Sequence, residues 1–551
     1  MHNKRLPPAL LLLGMVIGCS DQGVEPTDSP LPEFSVVAAA PTLGGTILVG
    51  GPGDQLGLAV SVDAGAVYAA GDHRVSGRHG LLAKFDIPPA APVWTTVETN
   101  TNFNALAVSG GVAYTIGGAF PPTCGASDGV GGTESKTMLG RYNDGTGALI
   151  GCRSENFFPY RGYEWYYAAL AVPPFVYAAG NAEQTGFGHS SPLTIAKYSV
   201  AGGPYVAAAS EPGIVLGSYT GCCPGESQAR ALAELSGDLY VAGFSRLPGF
   251  GEDNVKRPAL MRYTSALARV WKVRPTGNAG GSFNGVTALA GDLYAVGENG
   301  PSGNRDFLVE KYNAAGARIW TATSGGAGDD ALTGVVAVGS RLFAVGYTTS
   351  SGAGGEDGVV LEIDTASGAT LSTTHLGGAQ NDRANAVATD GSSLFVVGES
   401  RSYATAEGNA VGQNDLALWY LPVAIAVEID IKPGSSPNCF NNNGQGVIPV
   451  AILGSADFDV ATVDAGTVQL EGLSVGARGK SNKLLAHIED VSGPVGLPDG
   501  FDDLVVQIED ADGGFSEGQS SATLTGNLLP DFGGVPIQGT DEICIVPQQA
   551  G

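Results

Sequence analysis

Charge is scarce in this chain of 551 residues: only 15% are Asp, Glu, Lys or Arg, and 28 basic side chains face 54 acidic ones for a net charge of −26. A surface so poor in positive charge lacks the field that phosphate backbones require, which excludes nucleic acid as a partner. Long apolar runs are missing too. The run Leu10–Ile17 near the start is too short to cross a bilayer as a permanent helix. The six histidines form no His-Glu-x-x-His spacing, and no Gly-x-x-x-x-Gly-Lys-Ser/Thr loop occurs, so neither a zinc protease nor a phosphate-loop protein is indicated. No organic cofactor is expected. The one esterase-like string, Gly125-Ala126-Ser127-Asp128-Gly129, lies in a glycine-rich loop rather than between a strand and a helix, where a nucleophile elbow must sit. Carboxylate pairs for glycoside cleavage are defined by separation in space, and no pair stands out. No catalytic residue is therefore singled out.

What the chain has in quantity is glycine and proline, 84 and 32 residues, without the triplet period of collagen, while 43% apolar residues suffice for a core. This is the composition of many short strands joined by tight turns. A repeat explains it. The element Leu-Tyr-x-x-Gly and its variants recur seven times, as VYAAG (67–71), AYTIG (113–117), VYAAG (176–180), LYVAG (239–243), LYAVG (293–297), LFAVG (342–346) and LFVVG (394–398). Their aromatic residues are spaced by 46, 63, 63, 54, 49 and 52 positions. An Ala/Val-rich run precedes each copy. A third strand follows (LLAKFD, MLGRYN, TIAKYS, LMRYT, LVEKYN, VLEID, LALWYL), and in places a fourth with a Trp (PVWTTV, RVWKV, RIWTAT). Four short strands at a period of about 50 predict one β-propeller blade per unit. The repeat glycine is expected either to turn with positive φ or to let a neighbour approach closely.

The fold predicted is all-β, a seven-bladed β-propeller over residues 43–424 followed by a small antiparallel β-sandwich over 425–551. Residues 46–64 align with 321–339, which form the fourth strand of one unit and the first of the next. The last unit ends at LALWYL without a fourth strand, so Thr46–Val49 is expected to supply it and close the ring. The stretch DFLVEKYNAAGARIWTATSGGAGDDALTGVVAVGSRLFAVGYTTS resembles the bacterial seven-bladed propeller repeats abbreviated SBBP, and the resemblance implies a propeller in an exported protein.

Residues 1–18 carry Lys4 and Arg5 before the apolar run, and Val16-Ile17-Gly18-Cys19 looks like a bacterial lipobox. That resemblance implies cleavage before Cys19, a diacylglycerol on its sulfur, and a place in the cell envelope or on its surface with the membrane touched through the lipid alone. A plain secretory signal would need a small-residue cleavage site near Ala38-Ala39-Ala40, too far from the apolar run. Residues 19–42 read as a tether.

The remaining six cysteines suit an exported protein with disulfides. Cys124 and Cys152 flank an aromatic insertion, Phe157, Phe158, Tyr160, Tyr163, Trp165, Tyr166 and Tyr167, and can staple it; Cys222 and Cys223 lie in the corresponding insertion of the next unit. The aromatics are a candidate patch for a sugar ring or a protein partner, with packing between blades as the alternative. At IDIKPGSSPNC the pattern changes, and GVIPVAILG, TVQLEGL, DLVVQIED and SATLTG read as sandwich strands of a module resembling those found at the ends of exported bacterial proteins. Cys439 and Cys544 lie near its two ends and are expected to pair. The module's acidic loop makes Asp490, Asp499 and Asp503 candidate calcium ligands, although inserted residues separate Asp490 from Asp499, and a self-capped Asp/Gly turn is the other reading. The function expected is a monomeric, non-catalytic binding scaffold for a glycan or protein. The alternative is a polysaccharide hydrolase or lyase with its site at the channel mouth.

Overall fold

A computed structural model of the protein describes residues 35–39, 45–119, 136–155, 164–182, 193–201, 205–211, 226–246, 255–275, 280–403, 413–441, 446–491, 498–510 and 515–546, apart from short breaks within these spans. The chain divides into two compact units, Met1–Leu421 and Pro422–Gly551. Among the described residues it is all-β except for a short 3-10 turn at Val460–Thr462.

In the first unit the described strands form seven antiparallel sheets, six of four strands and one of five. The first strands of the seven are Asp54–Asp63, Thr101–Ser109, Glu164–Val172, Glu226–Leu235, Ser282–Leu289, Asp330–Val338 and Asp382–Thr389. Each packs against the first strand of the next sheet, and that of the seventh packs against that of the first. This closed cycle of sheets is a β-propeller. The apolar clusters lie between sheets rather than within them: Val60, Val62 and Phe85 of sheet 1 meet Phe395, Val397 and Leu416 of sheet 7. Burial on both faces is why the strands read as continuous apolar runs.

The last sheet shows how the cycle closes. Gly45–Gly50 pairs antiparallel with Asp415–Pro422, Thr46 standing opposite Trp419, and so completes the sheet begun by Asp382–Thr389 and Ser393–Ser400. One difference from the sequence reading appears here. Within the stretch read as a tether, Ser35–Ala39 forms a strand that pairs with Gly45–Gly50 as the fifth strand of this sheet. A bare sheet edge leaves backbone groups without partners, and an apolar, Val-containing segment close in sequence is well placed to satisfy them.

The repeat glycines are used for close approach. In every first strand a bulge places two residues opposite one glycine of the second strand. A Cβ added to Gly71, Gly117, Gly180, Gly243, Gly297, Gly346 or Gly398 would come within 1.7 to 2.0 Å of a carbonyl oxygen of the first strand. None of the seven has positive φ. No side chain fits there.

In four of the seven sheets a cation of the third strand reaches a main-chain carbonyl of the next sheet, in two of them beside a Trp of the fourth strand. Lys84 Nζ and Trp94 Nε1 of sheet 1 both donate to the Asp144 carbonyl of sheet 2, at 3.0 and 2.9 Å, while the Tyr68 ring packs tilted against Trp94. The same pattern places Lys197 on Ser265 O at 2.8 Å, Arg262 and Trp271 on Ala314 O at 3.2 Å, and Lys311 on Thr365 O at 3.4 Å. The Gly-Gly-x-x-x-Asp connections are structural as well. Buried Asp330 accepts from Gly326 N and Ser350 Oγ at 2.8 Å and from Thr348, and buried Asp382 is satisfied in the same way by Gly378, Ser400 and Ser402.

The second unit contains two larger sheets. One orders Ile425–Ala426, Pro536–Glu542, Ser521–Leu528, Val463–Leu470 and Leu473–Ser474; the other orders Ile429–Ile431, Val447–Ile452, Asp503–Glu509 and Ala486–Glu489. Both feed one core, with Ile431, Val450, Val506 and Ile508 from the second sheet against Leu470, Leu524 and Ile537 from the first. Cys439 and Cys544 stand opposite each other on a short parallel strand pair and form a disulfide, with Cα atoms 4.4 Å apart.

Candidate functional site

Antiparallel order sends the connections of the propeller alternately to two ends, and the ends differ. At one end the first strand turns into the second, and the third into the fourth, through links of two to six residues. The other end carries the links from second to third strand and from each sheet to the next. These include 120–135, 156–163, 183–192, 212–225, 247–256 and 401–414. One rim is trimmed and the other is elaborated.

Beneath the elaborated rim, the bulge of each first strand places one residue per sheet on the inner wall: Leu58, Asn104, Tyr167, Arg230, Asn284, Thr333 and Asn385. Several of them tie one sheet to the next. Asn104 Nδ2 donates to Tyr166 O at 3.3 Å, Asn284 Nδ2 to Leu332 O at 2.8 Å, Thr333 Oγ1 to Ala384 O at 2.9 Å, and Asn385 Nδ2 to Gly57 O at 2.9 Å across the closing seam. In sheet 4 this position is Arg230, the only charged member of the ring. Its Nη1 donates to Asn284 Oδ1 at 2.6 Å and Ser282 Oγ at 3.2 Å on sheet 5, and its Nε to Gln228 Oε1 at 3.1 Å.

Arg230 opens a cluster of cations at the junction of sheets 4 and 5. Lys256 and Arg305 reach the buried Glu298 from two sides, Lys256 Nζ to Oε1 at 3.4 Å and Arg305 Nη1 to Oε2 at 3.3 Å, and Ser282 Oγ donates to Oε1 at 3.1 Å. Arg305 also forks onto Asp329, at 3.1 and 2.9 Å. Burial opposes the charged form of Glu298, but Arg230, Lys256 and Arg305 outweigh it and hold the carboxyl below its ordinary range. For Lys256 burial comes first and the repulsion of Arg230 second, and together they push its ammonium down despite Glu298. The Arg305 fork holds Asp329 down to about 2. Phe244 gives its ring to two cations, Lys256 Nζ at 4.5 Å and the Arg230 guanidinium at 5.1 Å from its centroid. Between these groups lies a cleft of about 440 Å³, lined by Arg246, Val255, Lys256, Gly280, Glu298, Gly300, Pro301, Ser302 and Arg305.

The residues singled out in the sequence fall elsewhere. Trp165 is half-buried in the first strand of sheet 3 and packs against the core, followed by the buried Tyr166 and Tyr167. Phe157, Phe158, Tyr160, Tyr163, Cys19 and Cys124, the Gly125–Gly129 string, and Cys222 and Cys223 lie outside the described residues. Cys152 is disulfide-bonded. In the acidic loop, the insertion does not keep Asp490 from Asp499. Asp490 accepts the main-chain N–H of Asp499 at 3.1 Å and of Gly500 at 2.9 Å. Asp503 is fully buried and accepts from Gly454 N at 3.0 Å and Val491 N at 2.9 Å, while Asp499 accepts from Phe501 N at 2.9 Å. These carboxylates cap backbone N–H groups, as in an Asp/Gly turn. Among the described residues no group of three or more His, Cys, Asp or Glu side chains is placed to hold a metal ion.

No protein family and no curated protein matches the chain. Among solved structures it is similar to a chain of the mitotic checkpoint complex, at 12% identity and TM-score 0.40 over 77% of this chain and 99% of that one. It is similar to a europium-containing methanol dehydrogenase at 12% identity and TM-score 0.36, covering 74% and 84%, and to YjhT at 12% and 0.34, covering 59% and 98%. The sheet order and its closed cycle, not these distant likenesses, carry the fold assignment.

Sequence reasoning missed the cation cluster because Arg230, Arg246, Lys256, Glu298 and Arg305 share no motif. A signal for one of them was present. Aligning the seven first strands on the small residue after the bulge, Ala59, Ala105, Ala168, Ala231, Gly285, Gly334 and Ala386, puts Arg230 in a column otherwise free of charge.

Proposed function

We propose that the protein is a non-catalytic binding scaffold, a seven-bladed propeller of the SBBP-like repeat type joined to a β-sandwich, that presents its elaborated rim to a glycan or a protein. The observation that carries this reading is the contrast between the two ends: every long connection opens on one rim, while the other keeps links of two to six residues. Recognition surfaces are built from loops held on a rigid frame, and the sheet-to-sheet hydrogen bonds supply that frame. The lipobox-like Val16–Cys19 supports a lipid-anchored protein of the cell envelope, and the Cys439–Cys544 disulfide suits an oxidising compartment.

The test is a glycan and secreted-protein array probed with the mature chain, with and without calcium. A hit lost when residues 183–192 are replaced by a short Gly-Ser turn, and kept when a turn of the opposite rim such as Ser236-Gly237 is exchanged, is the expected result. A hit that responds only to the opposite rim would overturn the reading.

A further inference from the structure

The cleft between sheets 4 and 5 is charged against the grain of the molecule. The chain has a net charge of −26, yet among the described residues this cleft is lined by Arg246, Lys256 and Arg305 against the carboxylate of Glu298. The cations are not equivalent. Arg305 is committed to Asp329 and Glu298, and Lys256 shares Glu298 with it. Arg246, at the end of its strand, is exposed and makes no ion pair among the described residues, although Glu226 stands opposite it in the strand register. Arg230 is not part of the lining, but its charge also acts on Glu298. Glycines at 280 and 300 put no side chains on the walls, and Pro301 and Val255 add apolar surface. A cavity of about 440 Å³ falls within the range of small-molecule sites, roughly 300–1,000 Å³.

We infer that this cleft binds a small ligand, or the end of a larger one, through an oxyanion held by Arg246 and Lys256. A planar guanidinium fork pairs with two oxygens of a carboxylate, sulfate or phosphate, and an ammonium beside it adds a point charge. Glu298 holds Lys256 and Arg305 in place and limits the charge they offer, so one anionic group fits better than several. The pairs on Arg305 make it a positioning residue, while Arg246 is the first contact. The inference rests on the reading of the elaborated rim as the recognition face, because the cleft opens at that end.

The experiment is calorimetric titration of the mature chain with D-galacturonate, inorganic sulfate, inorganic phosphate and, as a neutral control, D-galactose. Saturable one-site binding of at least one anion is expected, absent for galactose and weakened about tenfold or more by Arg246→Gln and by Lys256→Met. Arg246 is exposed, so the R246Q variant is expected to keep the parent melting temperature, which separates lost binding from lost folding. Binding of galacturonate alone assigns the site to sugar acids, and binding of sulfate or phosphate alone to tetrahedral anions; either supports the proposal. No anion binding, or binding unchanged in both variants, overturns it. The probes are too small to need the long connections, so their failure leaves an array hit intact. Conversely, an array without hits would remove the rim reading and not an anion bound here.

Discussion

A single methyl group separates tolerated from forbidden at the repeat glycines. A Cβ on Gly346 would sit 2.0 Å from the Ala331 carbonyl oxygen, in a bulge with no room to relax, whereas one on Gly291 meets nothing within 4 Å and only its φ of +83° is at stake. Gly346→Ala is therefore expected to cost on the order of 3 kcal/mol, and Gly291→Ala about 1 kcal/mol, read as shifts in the urea midpoint of the propeller. The glycine at the end of each second strand was legible in the sequence as a repeated letter. Its opposing bulge was not, because an extra residue in a strand leaves no mark in composition or spacing. Histidine gives a second residue-scale expectation. His73 is fully buried, with Gln55 Nε2 3.0 Å from its Nδ1, and burial, helped by the charge of His79, pushes its pKa down to about 4. The unfolded chain then binds a proton that the folded one refuses as pH falls from about 6.5 to about 4. The contribution is present above pH 6.5, is lost through that window, and is flat below it. His73→Gln should flatten this part of the melting-temperature profile relative to the parent, and equal slopes in the two proteins would contradict the assignment.

Sheets were the easiest elements to read, since the aromatic-x-x-glycine string marks the second strand of each and turn residues bracket it. The exchange of a strand across the seam was legible too, from the match of 46–64 with 321–339 and the missing fourth strand after LALWYL. Deleting residues 45–50 is expected to leave the edge of Asp415–Pro422 unpaired and to lower the calorimetric melting temperature of the propeller by 10 °C or more, at roughly 2–4 °C per kcal/mol. The strand at Ser35–Ala39 escaped sequence reasoning because five residues carry too little periodicity to stand out from a tether. The functions of the Lys/Arg-aromatic pair in the third strand were hidden for another reason. Lys84, Lys197, Arg262 and Lys311 bond to carbonyls of the following sheet, and that partner is visible only once the sheets are stacked.

At the scale of the molecule, the two units rest on separate cores, and the Cys439–Cys544 disulfide belongs wholly to the second. Changing Cys439 and Cys544 to Ser should destabilise that unit by about 2–5 kcal/mol while leaving the propeller transition where it was, which two-transition calorimetry would show. The cation cleft is also a product of this scale. Arg246, Lys256, Glu298 and Arg305 come from four strand ends in two sheets, and nothing but the packing of those sheets brings them together.

The closing strand has a consequence in time. Gly45–Gly50 is among the first parts of the propeller to be synthesised, and its partner Asp415–Pro422 comes more than 360 residues later. During that interval one of its edges waits open. Pairing with Ser35–Ala39 covers the other edge from the start, so a growing chain presents half the sticky surface that a lone strand would. Propellers built from such distant contacts close slowly. The strand that looks like an afterthought at the margin of the last sheet is thus well placed to act as a guard during assembly.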